Sequence, residues 1–201
     1  MEHATVTVLS EKLSRMLKKF PDAVLARTSD IMTQWQIYEL EKQVQLGLAG
    51  LDLNRRTGHL SRGVRFSKVV TSTLGEAEVK VSMGVLPDYV PYAMIQETGG
   101  TIKSKGKLLT VPTRYALTTA GVTKKPAPEW KNTFVIKTKS GNLLIMQNRK
   151  HGEVVPLFVL RKSVKIPASH WASNAVKRSL PKLQTEIKTM DVNAIIKKST
   201  G

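Results

Sequence analysis

The sequence predicts an α+β fold, a mostly antiparallel sheet packed by a long N-terminal helix and a C-terminal helix. Two patterns lead there. Apolar residues recur at helical spacing before Gly50 and again after Trp171. Between them, short runs alternate apolar and polar residues and end in turn-forming Gly, Pro and Asn. A chain of 201 residues suits one domain with a sizeable core. It divides into a helical region over 1–50, a sheet with long basic loops over 51–168, and a C-terminal helix with its tail over 169–201.

In chain order, Ser10 can cap a helix whose apolar positions are Leu13, Met16, Leu17 and Phe20. Pro21 interrupts it and suits the first turn of a second helix, Asp22 to about Leu48. Its stripe is Val24, Thr28, Ile31, Trp35 and Tyr38, then Val44 and Leu48, with Gly47 and Gly50 at its end. That is long for a core helix, so it packs across a sheet or protrudes toward a neighbour. Asp52 to Gly63 reads as a polar loop. Val64–Thr71 and Glu78–Gly84 read as a hairpin linked through Leu74-Gly75. Ala120 to Trp130, with two prolines, a glycine and two lysines, reads as a surface loop. Phe134–Lys139 and Leu143–Asn148 form a hairpin around Lys139-Ser140-Gly141-Asn142. Val154–Arg161 is a strand in which Pro156 marks an edge or a bulge. The final helix carries Trp171, Ala175, Val176, Leu180, Leu183, Ile187 and Met190; Pro181 should kink or split it, and the tail from Ile195 should fray.

One stretch organises the chain, Tyr92 to Thr113. Tyr92, Ala93 and Ile95 read as core. Glu97 and the Gly99-Gly100 pair, which tolerates positive φ, fix a turn. A basic loop, Lys103 to Lys107, then feeds an apolar run stopped by Pro112.

The net charge is +17, and it is lopsided. Residues 1–100 carry 12 basic and 11 acidic side chains, residues 101–170 carry 14 and 2, and residues 171–201 carry 6 and 2. A positive field concentrated in the second half suggests an anionic partner, whether nucleic acid, a membrane surface or an acidic protein; the plainer alternative is that the charge serves solubility alone. The basic clusters flank strands and loops rather than one amphipathic helix, which argues against a membrane surface. No apolar run approaches the length of a membrane span, and the first twenty residues lack the apolar stretch of an export signal.

Catalysis finds little support. With no cysteine there is no disulfide, thiolate metal site or Cys nucleophile, which fits a reducing compartment. Gly106-Lys107 is followed by Leu108 where a phosphate loop needs Ser or Thr, and Thr101 stands where its first Gly belongs. His3, His59, His151 and His170 are scattered without metal-ligand spacing. After Glu97 the only acids are Glu129, Glu153, Glu186 and Asp191, so a paired-carboxylate site would have to come from the first half, where no pattern proposes one. The chain reads as a non-enzyme without cofactor or metal. Aromatic residues make up 5%, and no basic–aromatic alternation or helix-turn-helix signature points to base readout. Salt-sensitive contact with a nucleic-acid backbone stays open as a second reading.

The order of motifs resembles a known family. Thr57-Gly58-x-Leu60 is followed by a hairpin and then Tyr92-Ala93-x-Ile95-x-Glu97-x-Gly99-Gly100. A basic loop, Leu109-x-Val111-Pro112, and a late Ile166-Pro167-Ala168 opening the last helix complete the order. Over about residues 10–190 this resembles the neck or tail-completion proteins of long-tailed bacteriophages, the group that includes minor tail protein Z of phage lambda. Ser169-His170, and the insertion-like stretch from Gly121 to Asn148, depart from the family pattern. The resemblance implies a structural virion protein at the head–tail junction, assembled in the bacterial cytoplasm. It implies a homo-oligomeric, hexameric ring that contacts tail-tube or terminator proteins and head-completion or connector proteins. Lys103, Lys105, Lys107, Lys124 and Lys125 are the expected contacts, with an acidic ring surface or with DNA passing through the channel.

Overall fold

The computed structural model describes residues 4–6, 21–73, 76–86 and 88–200. The helix expected from Ser10 to Phe20, His3 and the Leu74-Gly75 link lie outside the described residues. The fold is α+β, and every strand pairing is antiparallel. The chain forms two compact units. The first comprises Met1–Asn54, Gly58–Glu97 and Ser169–Gly201; the second comprises Arg55–Thr57 and Thr98–Ala168. The first hairpin therefore groups with the helices, not with the later strands that the 51–168 range put beside it.

In the first unit, a three-stranded sheet has the order β1 (Ala4–Val6), β3 (Glu76–Val85), β2 (Val64–Thr73). Helix α1 (Pro21–Trp35) runs through a π-helical turn, Gln36–Leu40, into α2 (Glu41–Leu46) and ends in a second π turn, Gly47–Leu51. Pro21 sits where its missing N–H costs nothing. The expected stripe holds at Val24, Thr28, Ile31, Trp35, Val44 and Leu48 and fails at Tyr38, which is 69% exposed, while Leu40 is buried in its stead. The reason is the π turn, in which the Glu41 N–H donates to the Gln36 carbonyl five residues back. One extra residue rotates the buried face by about 100°. A short helix, α3 (His59–Gly63), occupies part of the segment read as loop, with Leu60 buried. α4 (Ala93–Thr98) precedes the second unit's strands.

α5 (Trp171–Lys188) is one continuous helix, so Pro181 does not split it. Its buried residues Trp171, Ala172, Ala175, Ser179 and Leu183 hold both sides of the proline against the core. Trp35, itself buried, donates its indole N–H to the Ser179 carbonyl at 2.9 Å. Beyond Asp191 the chain forms another helix, α6 (Val192–Thr200), where the tail was expected to fray. Among the described residues, nineteen buried apolar residues from α1–α5, the two π turns, β2, β3 and the β3–α4 connection make one core.

A polar network ties α5 to the end of the long helix. Arg178 grips Asp52 with two nitrogens, at 3.1 and 2.7 Å, and donates from Nε to the Gln43 side chain at 3.1 Å. Asn174 donates to the same carboxylate at 3.0 Å. Hydrogen bonding from Arg178 holds the Asp52 carboxyl below the usual carboxylate range, against the opposing push of burial, with Asn174 helping.

The second unit has a four-stranded sheet ordered β5 (Leu109–Pro112), β8 (Val154–Arg161), β7 (Leu143–Asn148), β6 (Thr133–Lys137). A separate ribbon pairs β4 (Gly100–Lys103) with β9 (Ser163–Ile166). Pro156 pairs with Met146 of β7 and lies beyond the end of the β5 ladder, which stops at Phe158. It sits where the β7–β8 register shifts beside Ile145/Met146, so the bulge is its reason for being tolerated. Thr113 stitches the bulge to β5: its N–H donates to the Leu157 carbonyl at 2.8 Å and its hydroxyl to the Pro156 carbonyl. The core is small: Ala116, Val155, Leu157 and Phe158. Tyr115, Ala127 and Trp130 pack on it, so the stretch read as a free surface loop roofs the sheet.

Candidate partner-binding surface

The charge asymmetry seen along the sequence becomes sharper once the two units are separated. The second unit holds 16 Lys and Arg against 2 Asp and Glu, net +14; the rest of the chain holds 16 against 13, net +3. Of the two acids, Glu153 lies 3.6 Å from Arg149 and Glu129 is exposed.

The β4–β9 ribbon gathers much of this charge. Thr101 faces Lys165 and Lys103 faces Ser163 across the ladder, so these four side chains share one face. Ile102, Val164 and Ile166 share the other. Lys105 and Lys107 follow in the loop, which is closed where the Ser104 N–H donates to the Lys162 carbonyl at 2.9 Å. Arg161 pairs with Leu109 at the start of β5. Lys103, Lys105 and Lys107 are thus joined by Arg161, Lys162 and Lys165, and all six are exposed. Sequence reading found the first three and missed the second. The signal for them was a strand pairing across some sixty residues, which local pattern does not carry.

Lys124 and Lys125 belong to a different group. The Lys124 Nζ donates to the Tyr115 carbonyl at 3.3 Å. Arg114 and Arg149 lie over the Tyr115 ring, 4.9 and 5.6 Å from its centroid. Lys125 is half-buried with its ammonium 4.9 Å from the Trp130 centroid, and its carbonyl accepts the Trp130 indole N–H at 3.0 Å. Its first role is therefore to hold the roof of the small core.

The remaining motif residues do structural work. Glu97 does not close its own turn; it caps α5, accepting the N–H groups of Ala172 at 2.8 Å and Ser173 at 3.1 Å. The Ser169 hydroxyl donates to the Gln96 carbonyl at 2.7 Å. Gly99 has φ +70°, and a Cβ there would lie 2.8 Å from the Ala168 nitrogen and 3.1 Å from the Ile166 carbonyl. Gly100 pairs with Ile166, so the Gly-Gly motif and Ile166-Pro167-Ala168 meet. Gly58, at φ +74°, starts α3 after Thr57. Pro112 pairs with Phe158. Ala93 is buried and Ile95 half-buried, but Tyr92 is 41% exposed and not core.

Among the described residues, no group of His, Asp and Glu is arranged to hold a metal ion, and no helix is long and apolar enough to cross a membrane. In comparisons with protein-family models, curated proteins and solved structures, the chain matches none.

Proposed function

We propose that this chain is a structural protein of a tailed bacteriophage, a tail-completion or neck protein that forms a ring at the head–tail junction and joins tail to head. It works through interfaces and not through catalysis. The observation that carries the reading is the meeting of motifs far apart in sequence: Gly99-Gly100 packs on Ile166–Ala168, and Glu97 caps the helix that follows. The resemblance rests on those same residues, and each has a structural reason to be the type it is. The concentration of +14 in one unit supports an acidic partner, such as a tail-terminator or connector ring. The ring, which the resemblance makes hexameric, closes through contacts of one subunit's surface with a different surface of the next. Deleting the gene from the phage or prophage that carries it should leave separate heads and tails in the lysate by electron microscopy. Complete infectious particles from the deletion would overturn the proposal.

A second reading, non-sequence-specific nucleic-acid binding, is favoured by one observation, the six cations on the β4–β9 ribbon and its loops. A two-stranded ribbon fits a DNA groove, and such contacts weaken steeply with salt. Filter binding across a salt series tests it; no retention of DNA or RNA at low salt removes it.

A further inference from the structure

The second unit has an unfinished sheet edge. Among the described residues no strand pairs with β6 on the side away from β7. The pairing phase shows which groups are unused. The Asn148 N–H donates to the Asn132 carbonyl at 3.0 Å, and the Thr138 N–H donates to the Asn142 carbonyl at 2.8 Å. In an antiparallel ladder these bonds fall on alternate residues. Phe134 and Ile136 therefore bond to β7, and the backbone groups of Thr133, Val135 and Lys137 point outward. Their side chains share one sheet face, where Val135 lies opposite Ile145 and Ile145 opposite Phe158. That face forms the floor of an open groove of about 740 Å³, bounded by Thr110, Pro126 and Pro128 as well as these apolar residues. Val135 is 59% exposed.

We propose that the free edge of β6 accepts an extended acidic segment of a partner protein as an added strand, with alternate apolar side chains of that segment lying in the groove beside Val135. The charge around the edge selects the occupant. Lys131, Lys137 and Lys139 flank it, and neither β6 nor β7 contains an acid. A second copy pairing β6 on β6 would set these lysines against one another, so like charge disfavours self-addition. An edge lysine ordinarily blocks strand addition; here it rejects neutral and basic strands and attracts an acidic one. The inference does not depend on the phage reading, since it rests on the edge, the groove and the lysines alone.

The test uses the full chain and two labelled synthetic peptides in fluorescence anisotropy, one alternating valine with glutamate and one alternating valine with lysine. The acidic peptide should bind and the basic one should not. Val135→Pro removes an outward N–H that the β6–β7 ladder does not use, and should weaken binding by about tenfold or more. Lys131→Glu with Lys137→Glu should reverse the preference toward the basic peptide. Hydrogen exchange on the unmodified chain supplies a readout independent of any variant's folding: the Val135 and Lys137 amides should exchange fast alone and slow with the acidic peptide. Unchanged exchange at those amides, equal binding by Val135→Pro, or displacement of the peptide by single-stranded DNA at equal charge would overturn the proposal.

Discussion

The two units solve the problem of staying folded in different ways. Among the described residues, the first buries nineteen apolar side chains around Trp35 and α5 and pairs the half-buried carboxylate of Asp52 with Arg178. The second has four fully buried apolar residues, a roof made from a proline-containing loop, and a net charge of +14. Apolar burial is the main favourable term in folding, while uncompensated like charge works against compactness. The first unit spends its chemistry inward. The second keeps its charge exposed and, among the described residues, leaves the β6 edge without a pairing strand.

The largest effect should come from the first unit's centre. Trp35→Ala removes the biggest fully buried side chain and leaves the Ser179 carbonyl without its indole donor. A loss of roughly 3–5 kcal/mol is expected in urea unfolding. A loss below about 1 kcal/mol would mean the first unit is no better consolidated than the second, and the comparison would fail.

Next comes the half-buried ion pair of Asp52 and Arg178. Arg178→Ala takes the arginine from the Asp52 carboxylate, whose side chain is 7% exposed, and should cost about 1–3 kcal/mol. The same pair makes a pH signature. The folded-state pKa of Asp52 is depressed below 3.8, so the unfolded chain takes up the proton first as pH falls. Its contribution is fully present above about pH 4 and fades below that as pH drops through the lowered folded value. In Arg178→Ala that part of the acid-side slope should flatten. An unchanged slope would show that Asp52 is not the group responsible.

A smaller effect is expected at Glu97. Glu97→Ala removes the carboxylate from two N–H groups at the start of α5, and a loss of about 1 kcal/mol follows from lost capping. Glu97→Gln keeps one acceptor oxygen and should recover part of it by thermal melting. If both variants match the parent, Glu97 is bystander and not cap, and the structural reading of the motif weakens.

How much of this was legible in the sequence follows from how local each cause is. The β6–β7 hairpin was readable because its turn, Lys139 to Asn142, lies between its strands. The long helix was readable on both sides of the π turn, Trp35 before it and Val44 and Leu48 after it, but the turn sent Tyr38 outward with no residue type announcing it. α3 is too short to show a period. Pro156 was legible as an interruption, yet that it sits at a bulge depended on the register of β8 against β7. The Asp52–Arg178 pair spans 126 positions and left no local trace. The basic cluster was half visible for the same reason: Lys103 to Lys107 stand together in sequence, while Arg161, Lys162 and Lys165 join them only through β9.

The smallest effect on folding, and the sharpest test of the contrast, lies in that cluster. Replacing Lys103, Lys105 and Lys107 with Glu lowers the second unit's net charge from +14 to +8. All three side chains are exposed, so unfolding free energy should change by less than about 0.5 kcal/mol. Any change should favour stability, because it relieves like-charge repulsion. Partner engagement should respond in the opposite sense. If nucleic acid is the partner, the slope of log affinity against log salt should fall by about 3, one for each lost cation, before counting the added repulsion. If an acidic protein ring is the partner, head–tail joining should fail while the purified chain melts as before. Strong destabilisation with unimpaired joining would mean that these lysines hold the second unit together and that its charge is not an interaction surface.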